Sequence, residues 1–349
     1  MRIASTFVLT IALCVSVHGA DLTVGTATAH PGARANGVIQ VPAGPDAATS
    51  LPVIVINGAK PGPTIALVAG AHGTEYASIL ALHKLAQIDP ATLSGALIVL
   101  PLLNVASFSQ MVPHLNPVDG KNMNRLYPGK PDGTQTERAL FAVTKQVLEK
   151  CDYLIDFHGG DLDENLRRYS YWADTGQERL DTVSRGMVMA FGLDHIIIQY
   201  NRTPPAPGGA VTISRQAQTL GKPAIVVEAG HSGTTETDDL DALIRGSYNV
   251  MRHLKMLPGE ARPVEQAVWI GNYTVVASDR EGVFYPLVVP EAYVRKGQKI
   301  GYVTDYVGEK IMDVTAPLSG VVIYIRSVPS LKKGDNLGYI GEVVEAPGK

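Results

Sequence analysis

The sequence predicts an α/β fold followed by a smaller all-β unit. Up to about residue 255, short apolar runs with the length of buried strands alternate with stretches of helical spacing. From about residue 264, short alternating segments and frequent glycine turns replace the helical stretches. We therefore predict an α/β domain over residues 21–258 and a C-terminal β-domain over residues 259–349.

The predicted elements follow the apolar pattern in chain order. Residues 21–57 are β-like, because alternating stretches are separated by turn residues. Further apolar runs and helical spacings predict strands at 65–69, 96–103, 152–158, 169–173, 196–200 and 224–227, and helices at 77–87, 136–150 and 238–254. Residues 107–133 show no periodicity and are rich in Pro, Asn and Gly, so we predict a long functional loop there.

Residues 1–20 have the pattern of a secretory signal peptide. Arg2 is followed by an apolar run over residues 7–17 and then by small residues. We expect this segment to be cleaved and the protein to be exported, to a periplasm or to the medium. A lipid anchor at Cys14 is the alternative, and the bulky Leu13 disfavours it. No later stretch is long and apolar enough to span a membrane.

The bulk composition excludes one class of partner. The chain of 349 residues is 45% hydrophobic and 18% charged, and 30 basic residues against 33 acidic ones give a net charge of −3. Without a basic run, nucleic-acid binding is not predicted. After signal removal one cysteine remains, Cys151, so no internal disulfide is possible; we expect a buried, unreactive thiol.

A candidate metal site begins at the turn after the strand 65–69. Gly70 and Gly73 break the apolar run, and a helical pattern starts at about Glu75. His72 and Glu75 therefore lie at the C-terminal end of a strand, where open α/β sheets bind ligands. An imidazole and a carboxylate three residues apart can both bind one Zn²⁺. The alternative is a polar helix start with a solvated Glu75.

Three more positions carry groups suited to chemistry. Asn124 and Arg125, in the long loop, could hold a substrate carboxylate through the guanidinium fork; alternatively Arg125 pairs with an acid and fixes the loop. His158 ends the strand 152–158, and Asp156, on the same face, could orient its imidazole. The alternative for His158 is a structural histidine. Glu228 ends the strand 224–227, where partial desolvation would suit a general base; an exposed turn glutamate is the alternative.

Taken together, these residues indicate a catalytic metal site. His72, Glu75 and His158 give three protein ligands, the number that a catalytic zinc keeps, whereas structural zinc is bound by four ligands that are usually cysteines. Water activated by the metal could transfer its proton to Glu228, which could pass it to a leaving nitrogen. That chemistry is amide hydrolysis.

The same residues resemble a known family. The order Gly-x-His-Gly-x-Glu, Asn-Pro-x-Asp-Gly with Asn-Arg, Asp-x-His and a strand ending in Glu is similar to the zinc carboxypeptidase (M14-like) superfamily, over roughly residues 50–255. Within it, the chain resembles the succinylglutamate desuccinylase/aspartoacylase group. The resemblance implies a zinc-peptidase-like α/β/α sandwich with a mixed sheet and one Zn²⁺ per subunit. It assigns the metal ligands to His72, Glu75 and His158, the general base to Glu228, and carboxylate binding to Asn124 and Arg125.

The C-terminal segment resembles biotinyl/lipoyl-type barrels. The similar stretches are 294–301 and 316–320, and family members have a β-domain here that narrows access to the site. Lys310 lies near the position of a carrier lysine, but its surroundings match neither attachment motif, so we expect it to be unmodified.

The chain departs from the family pattern at one point. The family usually has an arginine shortly before Asn-Pro-x-Asp-Gly that stabilises the oxyanion, and here residues 113–115 contain none. We hypothesise that His114, Arg167 or Arg168 takes its place.

The sequence thus predicts an exported zinc hydrolase that cleaves the amide bond of an N-acyl amino acid or a similar small amide. The alternatives are a zinc carboxypeptidase acting on peptides or cell-wall fragments, and a binding protein that has kept the fold without catalysis. Cobalt or manganese would fit the same ligands. The sequence does not determine the acyl group, the amino acid or the oligomeric state.

Overall fold

A computed structural model describes residues 19–206 and 209–347. Most of the predicted signal peptide lies outside these residues. The helices are α1 Tyr76–Leu85, α2 Val105–Gln110, α3 Gln135–Val143, α4 Glu178–Phe191, α5 Ile213–Thr219 and α6 Thr237–His253. Pro90–Thr92 is a 3₁₀ turn, and Thr144–Leu148 continues α3 as a π-helical turn. In the described part of the chain, no helix combines the length and the apolar character needed to cross a membrane.

The strands up to α6 are β1 Leu22–Val24, β2 Ala27–Ala29, β3 Ala33–Val41, β4 Thr49–Asn57, β5 Lys60–Ala69, β6 Ser94–Leu100, β7 Tyr153–His158, β8 Glu164–Leu166, β9 Tyr169–Asp174, β10 His195–Tyr200 and β11 Ala224–Glu228. The strands after α6 are β12 Val268–Ala277, β13 Gly282–Pro286, β14 Tyr293–Val294, β15 Lys299–Thr304, β16 Lys310–Thr315, β17 Gly320–Arg326, β18 Ser330–Leu331 and β19 Asn336–Val344.

A mixed sheet of 13 strands forms the centre of the fold. Its order is β14-β17-β19-β12-β10-β9-β11-β7-β5-β6-β4-β3, with β8 paired to β17. The strands β6, β5, β7 and β11 are adjacent and parallel, while β3 and β4 extend one side in antiparallel pairing. This confirms the predicted α/β class with a mixed sheet.

Helices cover both faces of the sheet. Along β5, Ile65 and Leu67 pack in a core with α1, α4 and α6, whereas Ala66 and Val68 pack in a second core with α3 and α5. Successive side chains of a strand point to opposite faces, so a strand buried on both sides is apolar throughout. That is the physical reason for the uninterrupted apolar runs in the sequence, and it produces the predicted α/β/α sandwich.

The C-terminal unit is all-β, as predicted. Strands β13, β15, β16 and β18 form a separate antiparallel sheet over its own core, which includes Phe284, Ile300 and Leu337. Its other strands extend the main sheet, because β12 pairs in parallel with β10 through Val268–Ile270. Continuous pairing therefore joins this unit to the strands of the α/β part. The division at residues 258 and 259 falls between α6 and β12 and stays a prediction.

One local prediction needs correction, and two helices were not predicted. The predicted loop 107–133 begins with a helix, α2, whose first turn is capped by the Asn104 side chain accepting a hydrogen bond from the Ser107 backbone N–H. Sequence reasoning also missed α4, which is amphipathic, and α5, which has only seven residues. Such a short helix depends on tertiary packing, since isolated helices of this length are unstable.

The remaining loop, residues 111–134, is fixed to the start of α3. The Asn116 side-chain amide donates to Gln135 Oε1 and Thr136 Oγ1, both at 3.1 Å. The Asp119 carboxylate accepts from the Thr136 backbone N–H and hydroxyl, each at 2.8 Å. These anchors hold the intervening residues in a defined position, which matters because that segment reaches the functional site.

Candidate active site

Three neighbouring parallel strands end at the same edge of the sheet. β7 lies between β5 and β11, with Val68 opposite Asp156 and His158 opposite Glu228. His72 and Glu75 follow β5 in the turn before α1. Because the carboxyl ends of parallel strands meet at one edge, residues far apart in sequence meet there.

The turn that carries His72 depends on two glycines. Gly70 ends β5 with φ +69°, in the left-handed region that glycine adopts without cost. At Gly73, a Cβ atom would lie 2.3 Å from the backbone nitrogen of Phe108, so a side chain would displace α2. The two glycines thus allow the chain to turn sharply between the strand and α1, with His72 between them.

The predicted ligands converge. His72 Nδ1 lies 2.6 Å from Glu75 Oε1, and His158 Nδ1 lies 2.9 Å from Glu75 Oε2. One nitrogen from each imidazole and a carboxylate oxygen all lie within 4.8 Å of one another. Two imidazoles and a carboxylate are a donor set suited to Zn²⁺, and the three residues fit such an ion.

Polar neighbours occupy the far side of each imidazole. His72 Nε2 lies 3.3 Å from Asn122 Oδ1. His158 Nε2 lies 3.2 Å from Asp156 Oδ1 and 2.9 Å from Asn124 Nδ2. At His72, the Asn122 acceptor at Nε2 favours the tautomer that leaves Nδ1 free to bind a cation. At His158, the nearer neighbour of Nε2 is the Asn124 amide donor, and Asp156 Oδ1 forms no hydrogen bond among the described residues. Asp156 thus lies next to His158, and its role in orienting that imidazole stays a prediction. Asn122 lies next to the other imidazole, that of His72.

The electrostatics of this cluster favour a bound cation. Burial alone would raise the pKa of Glu75, but the adjacent His158 and His72 lower it to about 2. Burial opposes protonation of His158, but Asp156 and Glu75 raise its pKa well above the usual range. The buried cluster thus holds an ionised Glu75 carboxylate at neutral pH and favours positive charge at His158. A divalent cation bound between the two imidazoles and the Glu75 carboxylate would supply positive charge at this position.

Glu228 lies beside the cluster. Its carboxyl opens onto the cavity, and within the described residues it makes no hydrogen bond or ion pair. Burial raises the pKa of Glu228 well above its usual value; His158 lowers it, and the nearby Glu75 and Glu164 raise it further. A carboxyl with a raised pKa and an unengaged side chain can accept and return a proton.

These residues line a cavity of about 490 Å³. Arg125 faces it, donating from Nη1 to the Asn124 backbone carbonyl at 2.7 Å and forming no ion pair in the described part of the chain. The alternative, in which Arg125 pairs with an acid and fixes the loop, is therefore not supported, because no acidic side chain among the described residues pairs with Arg125. Asn124 is 6% exposed and its Oδ1 accepts from the Ile213 backbone N–H at 3.0 Å. Its predicted contact with a substrate carboxylate stays a prediction.

Of the three candidates for the missing arginine, His114 alone lines the cavity. Its ring centre lies 6.2 Å from that of His72. Arg167 instead contacts Asp194 and His195, each at 2.9 Å, and Arg168 Nε donates to Asp239 at 2.5 Å. The hypothesis is therefore withdrawn for both arginines, because ion pairs hold them away from the cavity.

His114 has the charge that the hypothesis requires. Its Nε2 lies 2.9 Å from Asp163 Oδ1 and its Nδ1 lies 3.1 Å from Asp161 Oδ2. Burial opposes protonation, but the hydrogen bond to Asp163 and the charge of Asp161 raise the pKa of His114 to about 9. The side chain is therefore an imidazolium at neutral pH.

The C-terminal strands complete the cavity wall. Tyr273, Tyr324 and Tyr339, from β12, β17 and β19, line it together with Tyr169 and Tyr171 of β9. Arg326, at the end of β17, also lines it. Sequence reasoning missed these residues, and it missed Asn122 and Glu164 as well. Only Asn122 had a local indication, since it lies in the polar loop that contains Asn124 and Arg125.

The comparisons with known proteins agree with this geometry. The family described as succinylglutamate desuccinylase/aspartoacylase catalytic domain matches residues 61–254, more than half of the chain. The N-α-acetyl-L-2,4-diaminobutyric acid deacetylase of Halomonas elongata is 28% identical over 310 residues, which cover 86% of this chain and 88% of that protein.

Solved structures share the fold. A succinylglutamate desuccinylase from Silicibacter sp. TM1040 is 23% identical and superposes with a TM-score of 0.79, over 89% of this chain and 95% of that chain. The product-bound ectoine utilization protein of Ruegeria pomeroyi is 24% identical, also with a TM-score of 0.79, over 88% of this chain and 95% of that chain. With the motif order, the ligand geometry and the family match all in agreement, this chain belongs to the succinylglutamate desuccinylase/aspartoacylase family.

Proposed function

We propose that this protein is a zinc-dependent hydrolase that cleaves the amide bond of N-acyl amino acids. The observation that supports this most directly is the presence of three groups in one cavity: the His72, Glu75 and His158 donor set, the Glu228 carboxyl, and Arg125, the last two without an ion pair among the described residues. A metal site, a base and a carboxylate-binding cation are what hydrolysis of an N-acyl amino acid requires.

The donor set defines the metal's contribution. His72, Glu75 and His158 would hold one Zn²⁺, with cobalt or manganese as chemically acceptable substitutes. When bound, zinc acts as a Lewis acid that acidifies water and polarises a carbonyl oxygen. Asn122 and Asp156 keep the two imidazoles in the orientation that this binding needs.

The remaining roles belong to the chain's own side chains. Glu228 takes a proton from the attacking water as the water oxygen bonds to the amide carbon. It then gives that proton to the nitrogen as the carbon–nitrogen bond breaks, so the products are a carboxylic acid and a free amine. The His114 imidazolium stabilises the negative charge on the carbonyl oxygen. Arg125 binds the substrate carboxylate and thereby fixes the amide relative to Glu228.

The relative from Halomonas elongata supports an N-acyl amino acid over a peptide, because its name describes removal of an acetyl group from an amino acid. The wall formed by the C-terminal strands agrees with this preference, since it limits the space available to a longer chain. We further propose that the protein is exported, on the basis of the pattern of residues 1–20.

Metal content and hydrolysis test the proposal together. Wild type, Glu228→Gln and His158→Ala would be compared for bound zinc and for turnover of a panel of N-acetyl and N-succinyl amino acids. We expect one zinc per chain in wild type and in Glu228→Gln, with turnover in wild type alone. His158→Ala should lose both zinc and turnover.

The alternatives give different results. Turnover of peptides with a free C-terminal carboxylate, without turnover of the N-acyl panel, would indicate a carboxypeptidase. Zinc binding with no turnover of either class would indicate a binding protein. A wild-type protein that takes up no zinc on loading would contradict the site itself.

A further inference from the structure

Asp161, a fully buried carboxylate, has no part in the mechanism proposed above. It lies between β7 and β8. Within the described residues its ion-pair partner is a histidine, His114, and no lysine or arginine there pairs with it. A buried carboxylate is costly unless hydrogen bonds satisfy its oxygens, so the contacts of Asp161 indicate what this side chain does.

The two oxygens of Asp161 contact two different segments. Oδ2 accepts a hydrogen bond from the His114 backbone N–H at 2.7 Å and lies 3.1 Å from His114 Nδ1. Oδ1 accepts from the Thr74 hydroxyl and from the Leu162 backbone N–H, the latter at 2.9 Å. Thr74 directly precedes the proposed metal ligand Glu75. Asp161 therefore connects the loop that carries His114 to the turn that carries this ligand.

The segment that carries Asp161 is itself fixed. The Asp161 backbone N–H donates to Glu164 Oε2 at 3.1 Å, and the Glu164 backbone N–H donates to the Asp161 carbonyl at 2.9 Å. The preceding residue, Gly160, donates its backbone N–H to the Gly230 carbonyl at 2.8 Å, just beyond the end of β11. The Asp161 carboxylate thus has a defined position relative to the strands that end at the site.

His114 has a backbone conformation that needs support. Its φ of +61° lies in the left-handed region, which is unfavourable for a residue with a Cβ atom. Such a conformation persists where the surrounding contacts determine it. The same oxygen of Asp161 contacts the backbone N–H and the ring of His114, so one carboxylate fixes both the backbone and the direction of the side chain.

The second carboxylate at His114 contacts a different part of the residue. Asp163 Oδ1 lies 2.9 Å from Nε2, at the far end of the ring, and Asp163 Oδ2 lies 2.9 Å from Arg326 Nη1. In the part of the chain that the structure describes, the side-chain contact of Asp163 with His114 is to the ring alone. The left-handed backbone of His114 therefore depends on Asp161.

We propose that Asp161 is a positioning residue that holds the His114 ring toward His72 and affects hydrolysis only through His114. This inference rests on the proposed function, in which His114 stabilises the charge on the carbonyl oxygen, and it adds a fully buried residue to that site. The ring centres of His114 and His72 are 6.2 Å apart. A change in the direction of the His114 side chain would move its ring from this position, and misplacement of a catalytic group lowers the rate.

A double-mutant cycle tests the proposal, with kcat per bound zinc as the readout. The four proteins are wild type, Asp161→Asn, His114→Ala and the double variant, and the substrate is an N-acyl amino acid that wild type hydrolyses. Asparagine keeps the size of the side chain, but one acceptor oxygen becomes an NH₂ donor.

The cycle should be strongly non-additive. We expect Asp161→Asn to lower kcat about tenfold in the wild-type background and less than about twofold in the His114→Ala background, because the two residues act as a unit. KM should change less than about twofold, since Arg125 keeps its position. A residue that merely supported the fold would lower kcat by the same factor in both backgrounds.

Hydrogen exchange measures the same connection without a substrate. The His114 backbone N–H is bonded to Asp161, so Asp161→Asn should speed deuterium uptake by the peptide that covers residues 112–116, while uptake over α1 stays the same. Asp305→Asn is the matched control, because the Asp305 carboxylate also accepts from backbone N–H groups, those of Val307 and Glu309 in the C-terminal unit. It should keep the wild-type kcat and the wild-type uptake over residues 112–116.

Thr74→Val provides a second variant if Asp161→Asn folds poorly. It removes the hydroxyl that donates to Asp161 Oδ1 and keeps the shape of the side chain. We expect kcat per bound zinc to fall by a smaller factor, about threefold, and this fall to vanish in the His114→Ala background. Thermal unfolding of each variant reports on folding independently of turnover.

The outcomes for the inference and for the proposed function differ. A wild-type kcat in Asp161→Asn or in His114→Ala, or equal losses from Asp161→Asn with and without His114, would overturn the positioning role while leaving amide hydrolysis intact. If wild type hydrolyses no amide, the proposed function fails, and hydrogen exchange decides whether Asp161 holds His114. Faster uptake confined to residues 112–116 then supports the connection, and unchanged uptake overturns it.

Discussion

His114 Nε2 lies 2.9 Å from Asp163 Oδ1, and this contact links the long loop to the segment between β7 and β8. The second oxygen of the same carboxylate lies 2.9 Å from Arg326 Nη1 at the end of β17. The Asp163 carboxylate thus joins three distant parts of the sequence at the cavity: the long loop through His114, the segment before β8, and the end of β17 through Arg326. It holds the His114 imidazolium beside His72, one of the proposed metal ligands.

Replacing His114 tests whether its positive charge stabilises the oxyanion. We expect His114→Ala to lower kcat by about tenfold to a hundredfold with unchanged zinc content, because a cation near the carbonyl oxygen is lost. His114→Arg should retain more activity than His114→Ala. Arg168→Ala is the control, since its side chain is paired with Asp239 outside the cavity, and its kcat should match wild type.

The charge of His114 also predicts a pH dependence. Its pKa in the folded protein, about 9, exceeds the usual 6.5, so the imidazolium is present at neutral pH and is lost as the pH rises through about 9. The wild-type kcat should therefore fall across that range more steeply than the kcat of His114→Arg. Identical alkaline profiles for the two proteins would contradict an electrostatic role for His114.

Asn122 is expected to control zinc affinity without binding the metal. Its Oδ1 faces His72 Nε2 at 3.3 Å, so Asn122→Ala frees the imidazole to rotate and to change tautomer. We expect the Kd for zinc to rise about tenfold or more, as measured by competition with a chelator of known affinity. Asn36→Ala, on the exposed face of β3, should leave the Kd unchanged.

Glu137 is expected to stabilise the long loop in a pH-dependent way. Hydrogen bonds from Lys121 Nζ and from the Thr134 backbone N–H lower the pKa of Glu137 to about 2, from the usual 4.5. A lowered pKa stabilises the folded state above pH 4.5, and this contribution is lost as the pH falls from about 4.5 to about 2. Glu137→Gln should lower the free energy of unfolding at pH 7 by about 1–2 kcal/mol.

The urea unfolding curve of each protein at pH 7 and at pH 3 measures this effect. The difference between wild type and Glu137→Gln should shrink at the lower pH. Glu149→Gln is the matched control, because its ion pair with Lys145 is exposed and should contribute less than about 0.5 kcal/mol. A Glu137→Gln deficit that is the same at both pH values would contradict the assignment.

Cys151 should be inert in the folded protein. It is fully buried, and burial raises its pKa to about 12, so almost no thiolate exists near neutral pH. Iodoacetamide at pH 8 should leave the peptide containing Cys151 unmodified in the native protein and modify it in guanidinium chloride, as read by mass spectrometry. Rapid labelling of the native protein would show that the site opens.

The residues predicted from sequence share one property. His72, Glu75, His158 and Glu228 each follow a buried apolar run, so a local pattern indicates both the strand and its functional end. The residues that sequence reasoning missed lack this property. Glu164 stands in a strand of three residues, and the tyrosines of β12, β17 and β19 look like ordinary strand residues.

The sequence by itself determined the class of fold and indicated the proposed metal donor set and the proposed base, because strand-end positions and residue types follow from short-range patterns. Only the tertiary structure decided which of the three candidate cations lines the cavity and which residues form the rest of the cavity wall. The sequence does not distinguish Arg167 and Arg168 from His114. In the structure, ion pairs with Asp194 and Asp239 hold the two arginines away from the cavity. The pairing of β12 with β10 brings the C-terminal strands to the site, and such long-range pairing depends on the packing of the whole sheet.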